Sequence, residues 1–246
     1  MLTADERQRY HRQMLLDGWG NDAQETLKQS TVLIAGAGGL GSPVSLYLAA
    51  AGVGTLRICD FDVLELSNLN RQIVHDQTRV GLNKAISAKR TLETLNPDVA
   101  VVAITDTITE DTVDQIVGSA TLILDCMDNF PTRYLLSDAA IRLRVPMIHA
   151  AVWGMEGQLT VLKPPATPCL RCLYPDSPPK ETFPVIGATP GTIGCLQAIE
   201  ALKCLTGVGT PLMGRLLVWD GLTAGFRQFP IRKDPACPAC STLRAR

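Results

Sequence analysis

The chemistry-bearing residues of this chain fall into four groups: a glycine loop, a run of cations and amides, two neighbouring acids and two cysteine pairs. In "GAGGLG", Gly36, Gly38 and Gly41 stand at G-x-G-x-x-G spacing, with Gly39 beside them, after an apolar run and before a helix-like segment. Glycines there allow a tight turn and bring backbone N–H groups close to phosphate, while the helix N-terminus favours negative charge. Asp60 ends the next apolar run 24 residues after Gly36, where a carboxylate can accept bonds from ribose hydroxyls. A glycine turn that only packs a helix on a strand is the weaker reading, because strand, helix and acid are all in place. The motif leaves open whether the nucleotide is a redox dinucleotide or ATP.

The segment after Asp60, "FDVLELSNLNRQIVHDQTRVGLNKA", bears on that choice. It concentrates Asp62, Asn68, Asn70, Arg71, Gln72 and Lys84. Adenylyl transfer needs cations and oriented amide donors around a triphosphate, because charge builds on its oxygens as pyrophosphate leaves. Arg71 and Lys84 supply charge, and Asn68 and Gln72 supply donors. Taken alone the segment is an ordinary solvated loop; beside the glycine loop the nucleotide reading is preferred. Further on, "LILDCMDNFPTRYLLSDAA" places Asp125 and Asp128 at the carboxyl end of a strand, where both are expected to face the nucleotide and one to hold Mg²⁺. A second role open to Asp128 is the N-cap of the following helix.

Cys169 and Cys172 form one C-x-x-C, and Cys237 and Cys240 a second, with 64 residues between the pairs. Four thiolates so arranged close a tetrahedral, structural Zn²⁺ site that pins the C-terminal tail to the long loop. Redox dithiols or iron–sulfur ligation are weaker competitors. Cys59, Cys126, Cys195 and Cys204 read as core residues, and His11, His75 and His149 show no ligand spacing.

These residues need a frame to hold them. Short apolar runs at 31–36, 55–60, 99–104, 121–125 and 145–150 alternate with periodic segments at 42–51, 83–95, 110–117 and 130–143. That alternation predicts a Rossmann-like, doubly wound, mostly parallel α/β sheet. After Ala151 the pattern changes to a strand in "EGQLTVLKP", a long Pro-rich loop, a helix over "TIGCLQAIEALKCL" and a hairpin over "GRLLVWDGLTAGFRQFPI", an antiparallel extension. A loop that long is expected to be functional. The 246 residues are expected to form one domain: a helical arm over 1–30 that packs on a neighbour, a nucleotide-binding core over 31–151, and a zinc-bearing region over 152–246. A net charge of −1 gives no electrostatic case for nucleic acid or a membrane surface. No apolar run is long enough to span a bilayer and no leader is evident, so a cytoplasmic protein is expected.

Taken in order, "RYHRQ", "GAGGLG", "CDFD", "SNLNRQ", "GLNKA", "DCMDN", the two C-x-x-C pairs and "GCLQAIEALK" closely resemble the ThiF/MoeB/HesA group, bacterial relatives of ubiquitin-activating enzymes. The resemblance covers nearly the whole chain and runs nearest to the molybdopterin-synthase adenylyltransferase type. It implies a homodimeric adenylyltransferase that uses ATP and Mg²⁺ on the C-terminal Gly-Gly carboxylate of a small ubiquitin-fold sulfur carrier. The carrier pathways so implied include molybdopterin, thiamine, tungsten-cofactor, tRNA-thiolation and cysteine synthesis. Carried over, Asp60 binds ribose, Asn68, Arg71, Gln72 and Lys84 contact phosphates, and Asp128 is the Mg²⁺ ligand. Arg12 resembles the arginine that a partner subunit inserts into the site.

Two departures matter. The loop after the first cysteine pair, "DSPPKETFPVIGATPG", has no cysteine, and Lys180 stands about where some members carry one, so no covalent link to the carrier is expected. The sequence reaches Arg246 just after the second pair, so no appended sulfurtransferase is expected and sulfur would come from a separate donor protein. An NAD(P)-linked oxidoreductase shares the glycine loop and Asp60 but leaves "SNLNRQ" and the cysteine pairs unexplained. A noncatalytic scaffold binding a ubiquitin-like partner would have lost a cation or the metal acid, and Arg71, Lys84 and Asp128 are all present.

Overall fold

The computed structural model describes residues 1–177 and 184–243. Five short parallel strands open the sheet: β1 (Thr31–Ala35), β2 (Thr55–Cys59), β3 (Ala100–Ile104), β4 (Leu122–Asp125) and β5 (Met147–Trp153). Their residues are apolar on both faces because helices cover both. Val32 and Ile34 of β1 point into one core layer with Leu56, Ile58, Leu122 and Leu124, and Leu33 and Ala35 into the other with Ile123 and Met147. The first layer is closed by α3 (Gly20–Gln29), α4 (Gly41–Ala51), α5 (Lys84–Leu95) and α9 (Ala188–Thr206). The second is closed by α6 (Val113–Val117), α7 (Phe130–Leu143) and the single turn α8 (Leu170–Leu173).

Three antiparallel strands extend this frame: β6 (Glu156–Leu162), β7 (Arg215–Asp220) and β8 (Gly225–Pro230). The eight-stranded order is β3-β2-β1-β4-β5-β6-β7-β8. The doubly wound sheet with its antiparallel extension is therefore the architecture expected. Boundaries differ where pairing or packing overrides local signal. β5 runs past Ala150 to Trp153 because β6 pairs with it as far as Trp153 opposite Glu156. α9 starts at Ala188, four residues before the expected Thr192, and Pro190 in its first turn lies against the glycine loop at Gly39. α6 begins only at Val113, after a turn closed by Thr109 and Thr112.

The N-terminal arm is two short helices, α1 (Ala4–Arg9) and α2 (His11–Met14), broken at Tyr10. It docks on its own chain. The Tyr10 ring is buried over Gly52, where any Cβ would come within 2.4 Å of it, and its hydroxyl accepts a 2.8 Å bond from Asn96. Glu6 accepts from Lys28 at 2.7 Å, and Gln13 and Gln24 both donate to the Ala51 carbonyl at the end of α4. Leu15 and Leu16, just beyond, are exposed. Among the described residues no helix is long and apolar enough to cross a membrane.

Candidate active site

The glycine loop follows β1 and opens α4. Gly36 has φ +101°, a value that favours glycine, and a Cβ there would lie 2.7 Å from the Cys126 carbonyl. A Cβ on Gly41 would sit 1.9 Å from the Gly36 carbonyl, so the loop folds this tightly only with glycine at both ends. Among the described residues no side chain caps α4; its Ser42 N–H turns back to the Gly38 carbonyl at 2.9 Å, and the positive end of its dipole is left to a ligand. Ser42 Oγ, in the first turn of α4, and Oε1 of Gln72, whose Nε2 lies 3.5 Å from a Cβ built on Gly38, are buried without hydrogen-bond partners among the described residues. Unpaired polar atoms at one loop fit a polar ligand better than a packing turn.

Asp60, Arg71 and Gln72 of the sequence-predicted groups lie against this loop. Asp60, at the end of β2, accepts the Ala37 N–H at 2.8 Å and the Asp62 N–H at 2.9 Å. Burial pushes its carboxyl pKa up, against the pull of those bonds and of Lys84. Lys84 begins α5; it is 7% exposed and donates to Asp62 at 2.8 Å. Asn83 caps α5 through Ile86 and also donates to the carbonyls of Asp60 and Asp62, so one residue ties the end of β2 to the helix carrying Lys84. Asn68 closes a tight turn: its Oδ1 accepts the Glu65 N–H, which orients its Nδ2 as the group left to donate. Arg71 is half-buried and steadied by Ser67 and Asn70. His75 is a brace, not a ligand: one ring nitrogen meets the Ala37 carbonyl at 3.0 Å and the other Ser87 at 2.9 Å. Burial, with Lys84 and Arg79 nearby, holds its pKa below the ordinary imidazole range.

The two acids after β4 part company. Asp125 does not face the nucleotide loop: it is fully buried, and its carboxylate meets His149 at 2.7 Å and the Met127 N–H at 3.1 Å. Its place on the strand turns it inward. Asp128 is exposed, and among the described residues its side chain's hydrogen bond is to the Asn129 amide, at 3.4 Å. Asn129, not Asp128, is the N-cap of α7, through Thr132. Asp128 is thus a hard oxygen donor free to take a cation at the same edge of the sheet as the glycine loop, and it fits Mg²⁺. Arg12 lies outside this cluster: it is exposed on α2 and makes no hydrogen bond or ion pair among the described residues.

Residues 10–239 match the ThiF family. The chain belongs to that family. It is similar to the sulfur carrier protein adenylyltransferase of Thermus thermophilus, 43% identical, with 97% of this chain and 92% of the relative covered. It is also similar to the SAMP-activating enzyme E1 of Haloferax volcanii, 44% identical over 97% and 90%. The adenylyltransferase and sulfurtransferase MOCS3 of Drosophila yakuba is 45% identical, and there the match covers 98% of this chain but 54% of the relative. Among solved structures, E. coli MccB with MccA-N7isoASN superposes with a TM-score of 0.87 at 23% identity, over 98% of this chain and 76% of that one, a likeness of fold. Adenylyl transfer is accordingly the enzymatic class of this ThiF-family chain.

The ThiF-family chain also carries the four-cysteine cluster expected from its sequence. The sulfurs of Cys169, Cys172, Cys237 and Cys240 all lie within 4.8 Å of one another. Three of the pairs stand at 3.8, 3.6 and 3.4 Å. Zn–S bonds of about 2.3 Å in a tetrahedron set sulfurs about 3.8 Å apart, so the cluster fits zinc with no position left open. The Asp234 N–H donates to Cys172 Sγ, a bond that steadies a thiolate. Cys59 and Cys126 are core thiols; burial beside Asp60 and Asp106 pushes Cys59 up to about 12. Cys195 and Cys204 are half-buried on α9, less enclosed than expected. Lys180 lies outside the described residues. A cleft of 460 Å³ beside the cluster, lined by Asp138, Ile141, Arg142, Arg171, Pro238 and Ala239, contains none of the predicted nucleotide residues.

Sequence reasoning passed over Asn83, Arg133 and Gln197. Gln197 is fully buried in α9 and donates to the carbonyls of Asp125 and Ile148, behind the end of β4. An amide in the middle of the apolar run "GCLQAIEALK" was the available signal.

Proposed function

We propose that this chain activates a small ubiquitin-fold sulfur-carrier protein by adenylating its C-terminal Gly-Gly carboxylate with ATP. The carrier's carboxylate attacks the α-phosphorus in line, the acyl-adenylate forms and pyrophosphate leaves. No protein nucleophile is required, so catalysis is placement and charge neutralisation. The N-terminus of α4 and the glycine loop (Gly36, Gly38, Gly39, Gly41) cradle phosphate, Asp60 takes the ribose, and Asn68, Gln72, Arg71 and Lys84 hold the triphosphate. Asp62, paired with Lys84, gives the cation up to the phosphates. Asp128 would hold Mg²⁺, which when bound would supply positive charge to the phosphate oxygens. Zinc at the four cysteines is structural. Arg12 enters the site of a second subunit in a homodimer, and a separate protein donates sulfur to the activated carrier in the cytoplasm. The whole chain acts as one adenylating domain.

The observation carrying this reading is the conjunction at one sheet edge of an uncapped helix start, a buried lysine already on a carboxylate, and the exposed Asp128. The name of the Thermus thermophilus relative, a sulfur carrier protein adenylyltransferase, supports the carrier class. The test is ATP–pyrophosphate exchange with Mg²⁺, with and without a panel of carriers ending in Gly-Gly. Exchange that depends on a carrier, and is lost when its last glycine is removed, is expected. Carrier-independent exchange, or none with any carrier from zinc-loaded protein, overturns the proposal.

A further inference from the structure

Three ionisable side chains are buried behind Asp128 and have no part in the chemistry above: Asp125 and His149 at 0% exposure and Arg133 at 5%. They converge on Met127, the residue immediately before Asp128. Its N–H donates to Asp125 Oδ1 at 3.1 Å. Its carbonyl accepts two bonds from Arg133, 2.5 Å from Nη2 and 3.2 Å from Nε. Arg133 Nη2 also donates to the Ala150 carbonyl on β5 at 3.2 Å, and its Nε stands 3.6 Å from Asp125 Oδ2. His149 Nδ1 meets that same oxygen at 2.7 Å. Both backbone polar groups of one residue, the N–H of the Cys126–Met127 peptide and the carbonyl of the Met127–Asp128 peptide, are therefore fixed by buried ionisable groups, while the next side chain is left exposed.

Packing alone gives no reason for this. Burying charges costs about as much as their attraction returns, and apolar side chains of like volume serve stability as well or better. What fixed charges give is a defined position. We propose that Arg133, with Asp125 and His149, is a positioning device that sets the Met127–Asp128 peptide and thereby aims the Asp128 carboxylate at its cation. The inference rests on the reading of Asp128 as the metal acid.

The test is titration of Mn²⁺ with ATP, followed by electron paramagnetic resonance, on wild type, Asp128→Asn, Arg133→Lys and the double variant, with zinc content and thermal melting run beside it. A lysine in place of Arg133 reaches one carbonyl where the guanidinium holds two. Arg133→Lys is expected to weaken Mn²⁺ about tenfold or more, the range for groups that orient a metal ligand. The double variant is expected to bind no more weakly than Asp128→Asn alone, because both changes act through one carboxylate. Arg133→Gln, with one amide donor of similar reach, takes its place if the lysine variant does not fold. Wild-type Mn²⁺ affinity in the Arg133 variant, or a loss that adds fully to that of Asp128→Asn, overturns the inference. If Asp128→Asn itself binds Mn²⁺ as wild type does, the reading of Asp128 has failed and the inference falls with it.

Discussion

Lys84 is held against a carboxylate, 2.8 Å from Asp62, and is 7% exposed. On the function proposed, a triphosphate would exchange one anionic partner for another, so the cation would not be buried unpaired. Asp128 is the opposite case, exposed and nearly free, and Asp128→Ala is expected to leave melting temperature and zinc content unchanged. It should lower carrier-dependent pyrophosphate exchange by about 10²-fold or more; near-wild-type exchange removes Asp128 from the mechanism. His75 carries a pH prediction. Its folded pKa lies below the ordinary imidazole value of about 6.5, so under that pH the unfolded chain takes up the proton first. The stability it contributes is present above about pH 6.5 and is lost as pH falls through its folded value. Denaturant midpoints measured from pH 7.5 downwards should decline below about 6.5, and His75→Gln should flatten that decline. Types were legible at this scale, directions less so. "DCMDN" announces two acids, but only the backbone path after β4 turns Asp125 onto His149 and leaves Asp128 outside.

At the scale of elements, the strands of the parallel half were legible almost to the residue, because each is a short apolar run between turns. What local pattern missed was set by distant partners: the last three residues of β5 answer to β6, and the early start of α9 packs on the glycine loop. The arm is the clearest such case. The sequence points to packing on a neighbour, and the arm also docks on its own chain: one aromatic, Tyr10, fills the space over Gly52 and bonds Asn96. Tyr10→Ala is expected to cost roughly 3 kcal/mol, by analogy with other buried aromatic truncations. Amide exchange should rise first over residues 4–14; unchanged protection there means the arm is held otherwise.

The whole molecule joins parts far apart in sequence, and its predictions follow from that. Cys237→Ser should lower zinc content and melting temperature before it lowers exchange activity per folded molecule, and full zinc content in that variant removes the four-cysteine site. Arg12, on a docked arm but away from its own cluster, gives a mixing prediction. Arg12→Ala is expected to be inactive, as is Asp128→Ala, while heterodimers of the two regain one intact site and about half the activity of wild type. A fully active Arg12→Ala protein ends the shared-site dimer. The strand order has a consequence of another kind. β1 is hydrogen-bonded on one side to β2, which follows it closely, and on the other to β4, whose partner for Val32 is Leu122. During synthesis at about 5–20 residues per second, that second edge therefore stays bare for some seconds, presenting unpaired N–H and C=O groups on an apolar strand to any neighbouring chain. Nascent chains stalled between β3 and β4 are accordingly expected to aggregate more readily than chains stalled after β4 has paired.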